Sequence, residues 1–175
     1  AVSKGYPLRG QVSITTDPIA AGGAQGTPTR EVPARGTVWV DPGLLPQLRT
    51  EVGATLTLGN SQFRIAQLIA TEPDKGASFA NFAPRVMLAL EDLQATGLVD
   101  DFARVSFRLM VASKDANDMA AVRDYEQWIR AQIRDNNIKG VRIETLENGR
   151  PEMRATLDRA GLFLSLVGLL SAMLA

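Results

Sequence analysis

"GATLTLGNSQFRIAQLIAT", Gly53 to Thr71, is the stretch that decides the fold class of this chain. Leu56 and Leu58 alternate with Thr55 and Thr57, and Phe63, Ile65, Gln67 and Ile69 continue a second alternating run. The two runs are joined through Gly59-Asn60. A period of two on both sides of such a pair predicts an antiparallel hairpin with one buried face.

Upstream, "YPLRGQVSIT" (Tyr6 to Thr15) sets Leu8, Gly10, Val12 and Ile14 against Arg9, Gln11, Ser13 and Thr15, which predicts a half-buried strand. "DPIAAGGAQGTPTREVPARG" (Asp17 to Gly36) has no periodicity and is expected to be a loop. Its "GGAQG" lacks the Gly-Lys-Ser/Thr and the helical opening that a phosphate cradle requires. "GTVWV" (Gly36 to Val40) reads as a short apolar strand, after which Asp41 as N-cap and Pro42 at the first helical position predict a brief helix.

Downstream, "EPDKGASFANFAP" (Glu72 to Pro84) breaks the pattern and carries Phe79 and Phe82, which either pack the loop onto the core or offer a partner contact. A buried strand follows around Val86 to Leu90, then a brief helix ended by Gly97. "RVSFRLMVA" (Arg104 to Ala112) and "VRIETLE" (Val141 to Glu147) read as strands on either side of a helix within Asp115 to Asn137. Met119, Val122, Tyr125 or Glu126, Ile129 and Ile133 form the stripe of that helix, with Trp128 beside it. Arg123, Arg130 and Arg134 alternate with Asp124, Glu126 and Asp135, as on a solvated face.

From Pro151 a last helix runs without a stop into Ala160 to Ala175, which carries no charge. Leu162, Phe163, Leu164, Leu166, Val167, Leu169, Leu170, Met173 and Leu174 surround its axis, so it has no polar face for water. A row of small residues, Gly161, Ser165, Gly168, Ser171 or Ala172, and Ala175, is of the kind that lets helices approach closely in a bilayer. Those 16 residues span about 24 Å of the roughly 30 Å hydrocarbon core, so the segment is expected to be a truncated transmembrane helix.

Composition narrows the function classes. Of 175 residues, 45% are hydrophobic and 22% charged, which is a globular composition. Lys plus Arg and Asp plus Glu both number 19, so no net field recruits nucleic acid. Without Cys or His, thiol nucleophiles, cysteine or imidazole metal sites and histidine dyads are excluded. The remaining acid-base candidates are Glu91-Asp92, Asp100-Asp101 and Asp17 near Thr15-Thr16, and no spacing among them selects a reaction. The sequence therefore nominates no catalytic, cofactor-binding or metal-binding residue, and the chain is expected not to be an enzyme. The start "AVSKGYPLRG" has no features of a signal peptide and reads like the middle of a longer polypeptide.

"YPLRG", "VWVD", the Gly53-to-Gly59 segment before the Phe63-Arg64 strand, "EPDKG" and "APRVM", together with the strand-helix-strand and the final helix, carry a resemblance over nearly the whole chain. The chain resembles the first extracytoplasmic domain of YbbP-like permeases, within the FtsX-like, MacB-type permeases of ABC transporters. The resemblance implies an α+β fold in which a porter-like strand-helix-strand part, residues 1–16 and 99–150, adjoins a mostly β insertion of the kind called Sabre, residues 36–98. It also implies that the porter-like part is incomplete, and that residues 151–175 form a stalk helix entering the membrane. The implied function is mechanical: a periplasmic module on the bacterial inner membrane relays movement driven by a separate YbbA-like cytoplasmic ATPase to the extraction or export of a hydrophobic substrate. Other permease domains, a periplasmic esterase or thioesterase in some members, and lipid around residues 160–175 are the implied partners. The alternative is a membrane-anchored envelope adaptor or scaffold without transport activity.

Overall fold

The computed structural model describes residues 1–73, 84–100, 103–115 and 118–145. The chain divides into two compact units, Ala1–Ala112 and Ser113–Ala175.

In the first unit the expected hairpin is present: β4 (Thr55–Leu58) pairs antiparallel with β5 (Ser61–Thr71), and Leu58 lies opposite Ser61 across Gly59-Asn60. β5 organises the sheet. Besides β4 it pairs antiparallel with β1 (Val12–Thr15) and parallel with β3 (Thr37–Val40), while β6 (Val86–Leu88) pairs antiparallel with β3. With β2 (Thr27–Thr29) on β1, the order is β2-β1-β5-β3-β6, and β4 branches onto β5.

Both faces of the sheet are covered. Val38, Val40, Phe63, Ile65, Leu68 and Leu88 form one core with Ala21 and Leu45, while Val12, Trp39, Ile69 and Met87 form the other. β5 reaches both because its alternation slips. Val38 lies opposite Ile65 but Trp39 lies opposite Gln67, which leaves Ala66 as an extra residue. The expected single face of Phe63, Ile65, Gln67 and Ile69 is thereby corrected: Leu68 joins Phe63 and Ile65, and Ile69 turns to the other core.

The segment expected to be a loop, Asp17 to Gly36, holds two short elements: α1 (Pro18–Gly22) and β2. Asp17 caps α1 by accepting the Ile19 N–H at 2.8 Å, with Pro18 pre-set for the first turn. Gly26 then passes so close to β1 that a Cβ would sit 2.8 Å from the Ile14 carbonyl oxygen, and this closeness seats β2 on its neighbour. Neither element is long enough to show a period.

The second Asp-Pro pair behaves differently. The α2 helix (Leu44–Leu48) begins two residues after Pro42, with Gly43 at the cap position. The Asp41 carboxylate accepts the Gly43 N–H at 2.9 Å and its carbonyl accepts the Leu44 N–H at 2.9 Å, so a turn is completed before the helix begins. The later helix is as expected: α3 (Leu90–Leu93) continues as a 3₁₀ turn (Gln94–Thr96) and stops at Gly97, whose φ is 65°.

Arg104–Ala112 was expected to be a strand and carries no strand among the described residues. Phe107 and Leu109 stand 78% and 85% exposed, and Ser106 and Arg108 beside them are exposed too. Alternation alone does not make a strand; a ladder neighbour must take the backbone groups, and none of the described residues does so here.

In the second unit, α4 (Met119–Asp135) carries the expected stripe: Val122, Tyr125, Glu126, Ile129 and Ile133 are half-buried, whereas Met119 and Trp128 are exposed. Asp118 caps it by accepting the Ala121 N–H at 3.0 Å, which sets its start later than Asp115. Residues 141–145, expected as a strand, are not one, and the rest of that expected strand lies outside the described residues. The expected stalk and membrane span at 151–175 also lie outside them. Among the described residues, no helix is long and apolar enough to cross a membrane.

Candidate functional site

The most constrained polar cluster sits where β5 ends and β6 is about to begin. Glu72 follows β5 and Arg85 precedes β6, so the chain between them leaves and re-enters the sheet at one place. The Glu72 carboxylate accepts the Tyr6 hydroxyl at 2.5 Å on Oε1 and the Arg85 guanidinium at 2.8 Å on Oε2. Its side chain is 7% exposed, so both acceptor oxygens are satisfied away from water. Tyr6 in turn packs its ring on the Trp39, Met87 and Ile69 core. The cluster thus ties the first residues of the chain to both ends of the Glu72-to-Pro84 segment. Phe79 and Phe82, the candidate contact residues of that segment, lie outside the described residues.

A second carboxylate does comparable work on α3. Asp92 is buried, accepting Gly36 N–H at 2.8 Å and Arg35 Nε at 3.1 Å. Its neighbour Glu91 is exposed. The adjacent pair therefore diverges, with Asp92 anchoring the entry to β3. Asp17 is occupied as the cap of α1, and its own N–H donates to Thr15 Oγ1 at 3.1 Å. Asp100 is exposed, and Asp101 lies outside the described residues. Asp17 and Asp92 thus hold separate structural roles, one capping a helix and the other anchoring the entry to a strand.

An open groove of about 610 Å³ lies beside α1 and α2 in the first unit. Leu45, Val52, Pro18 and Pro46 line it, with Arg49 and Glu51 adding one charge of each sign. The second unit has a smaller one of about 360 Å³ between α4 and the segment after it, lined by Ile133, Val141 and Ile143 with Arg130 and Arg134. Both guanidiniums are already engaged: Arg130 with Glu126 at 2.7 Å and Arg134 with Asp135 at 3.1 Å. No cluster of three or more metal-ligating side chains occurs among the described residues.

What the geometry defines is a braced, two-faced sheet with helices against it and a polar clasp at one end. No family model matches the chain, and no solved structure matches it. The chain is 30% identical over 154 residues to a protein of Escherichia coli (strain K12) described as "Uncharacterized ABC transporter permease YbbP". The matched region is 88% of this chain and 18% of that protein, so the chain spans less than a fifth of the relative's length. This likeness supports a permease family for the chain.

Proposed function

We propose that the chain is an extracytoplasmic module of an ABC transporter permease subunit in the inner membrane, on the periplasmic side. The observation that carries this reading is the likeness to the Escherichia coli permease along 88% of the chain. The module relays movement to the extraction or export of a hydrophobic substrate. ATP is hydrolysed on a separate cytoplasmic ATPase subunit, and the module itself is not an enzyme. The final segment, 151–175, is the stalk and membrane span that joins the module to the moving part of the transporter. A sheet with both faces packed suits such a role, because a dense core transmits displacement instead of absorbing it. Relay then takes the form of a rigid-body transition between two states with different affinities for nucleotide or substrate.

Topology tests the reading directly. Thr57 is exposed on β4, and the chain has no Cys, so Thr57→Cys introduces a single label site into this region. In the full-length protein in intact cells, a maleimide that cannot cross the inner membrane is expected to label Cys at this position, with a cysteine-free parent as control. Labelling only after cell lysis overturns the periplasmic placement. Copurification of the full-length protein with an ATPase subunit separates the permease from the adaptor reading, which needs none.

A further inference from the structure

Among the described residues, two outer strands of the sheet are obstructed and one is open. At β2 the middle residue is Pro28, which has no N–H to offer a neighbour. At β6, Val2 donates its N–H to the Leu88 carbonyl at 2.9 Å and accepts the Leu90 N–H at 2.8 Å. The open edge belongs to β4, which pairs with β5 alone among the described residues. Its sequence, Thr55-Leu56-Thr57-Leu58, holds no charge, no proline and no bulge, the usual means by which an edge is kept from pairing.

The register of β4 fixes which way its backbone groups point. Ile65 N–H donates to the Ala54 carbonyl at 2.9 Å, while Leu56 lies opposite Phe63 and Leu58 opposite Ser61. Backbone groups alternate sides along a strand, so Ala54, Leu56 and Leu58 turn theirs to β5 while Thr55 and Thr57 turn theirs outward. On the far edge of β5, Arg64 N–H donates to the Gly36 carbonyl at 3.1 Å, as the same alternation requires. The side chains divide likewise. Leu56 and Leu58 pack against the core of Phe63 and Ile65, and Thr55 and Thr57 are exposed on the opposite face.

We propose that the outer edge of β4 pairs antiparallel with the same edge of a second copy of this chain, about a two-fold axis at Leu56. In that register Thr55 of each copy lies opposite Thr57 of the other, and the outward N–H and C=O groups of the two residues bond to one another. Leu56 meets Leu56 across the axis in a non-hydrogen-bonded pair, where side chains approach closest, and joins the apolar rows of the two cores. The occupant is a second copy because the edge is its own complement. Its outward groups lie at Thr55 and Thr57, which exchange places under the two-fold, and no charge on β4 repels its copy. The paired stretch is short, so the association is weak and is read by trapping it.

Disulfide trapping of the full chain in detergent tests the proposal, because the chain has no Cys of its own. Thr55→Cys and Thr57→Cys are oxidised separately and as an equimolar mixture. Opposite residues have Cα atoms about 5.5 Å apart, within disulfide reach, whereas Thr55 would lie roughly 9 Å from Thr55 of the other copy. The mixture is expected to form linked dimer at least about fivefold faster than either variant alone. Both positions are exposed, so neither change disturbs the core. Charge supplies a second measurement, in chains carrying Leu56→Cys, which links to its own copy across the axis. Thr55→Lys/Thr57→Lys sets like charges opposite one another and should slow that linkage, while Thr55→Lys/Thr57→Glu sets opposite charges together and should restore it. Association through any other surface is common to all variants and produces none of these differences. Equal rates for the mixture and its separate components overturn the proposal, as does a Leu56→Cys linkage that the two charge pairs affect alike.

Discussion

Gly59 lies against the carbonyl of Thr96, so close that any Cβ there would collide with the oxygen. The next residue uses the same oxygen: Asn60 N–H donates to it at 2.8 Å, and Ser61 Oγ donates to the neighbouring Ala95 carbonyl at 2.7 Å. The turn of the β4–β5 hairpin is thereby fastened to the last turn after α3. Gly59→Ala meets both this wall and an unfavourable φ of 57°, and is expected to cost about 2–4 kcal/mol. Urea unfolding checks it; a loss under about 0.5 kcal/mol would show that the turn can move off Thr96 freely.

The Asp92–Arg35 pair is expected to be energetically lopsided. The Asp92 side chain is 10% exposed and holds Gly36 N–H, whereas Arg35 is 78% exposed. Asp92→Ala removes the acceptor of both Gly36 N–H and Arg35 and leaves a gap at a buried side chain, and is expected to cost roughly 2–3 kcal/mol. Arg35→Ala removes a mostly solvated partner and should cost under about 1 kcal/mol. Comparable losses for the two variants in thermal unfolding would contradict this division.

At Glu72, removal of the carboxylate takes away two charge-assisted or short hydrogen bonds at once. Glu72→Ala is expected to cost about 3 kcal/mol, while Tyr6→Phe, which keeps the ring on the core, should cost about 1 kcal/mol. The double variant tests the coupling. Since the Tyr6–Glu72 hydrogen bond is lost in either single change, the two losses should fall short of adding, and strict additivity would show that this bond contributes nothing.

If residues 151–175 relay movement, a flexible break should interrupt them. A Gly-Ser insertion near Arg154 in the full-length transporter is expected to leave ATPase turnover in place while transport falls. Unchanged transport would remove the stalk from the proposed mechanism.

Much of the first unit is legible in its residues. Gly59-Asn60 between two alternating runs is a local signal, and the hairpin forms there. Gly97, able to adopt φ of 65°, marks the end of the helical stretch, and Val122, Ile129 and Ile133 mark the inward stripe of α4. These features depend on neighbours within four residues, whose sterics and spacing are written in the chain itself. The clasp at Glu72 had no such signal, because Tyr6 and Arg85 meet it from opposite sides of the sequence.

By itself the sequence determined an α+β composition, the hairpin, the helix stops, and a chemistry without thiol or imidazole. The tertiary structure alone decided that β3 lies parallel to β5, that Ala66 is the extra residue, and that Leu68 and Ile69 therefore serve different cores. It also left Arg104–Ala112 without a ladder neighbour among the described residues, despite its alternation. The reason is common to these cases. A strand's pattern states which residues share a face, but its partner, direction and register come from backbone groups distant in sequence, and those meet only when the chain has folded.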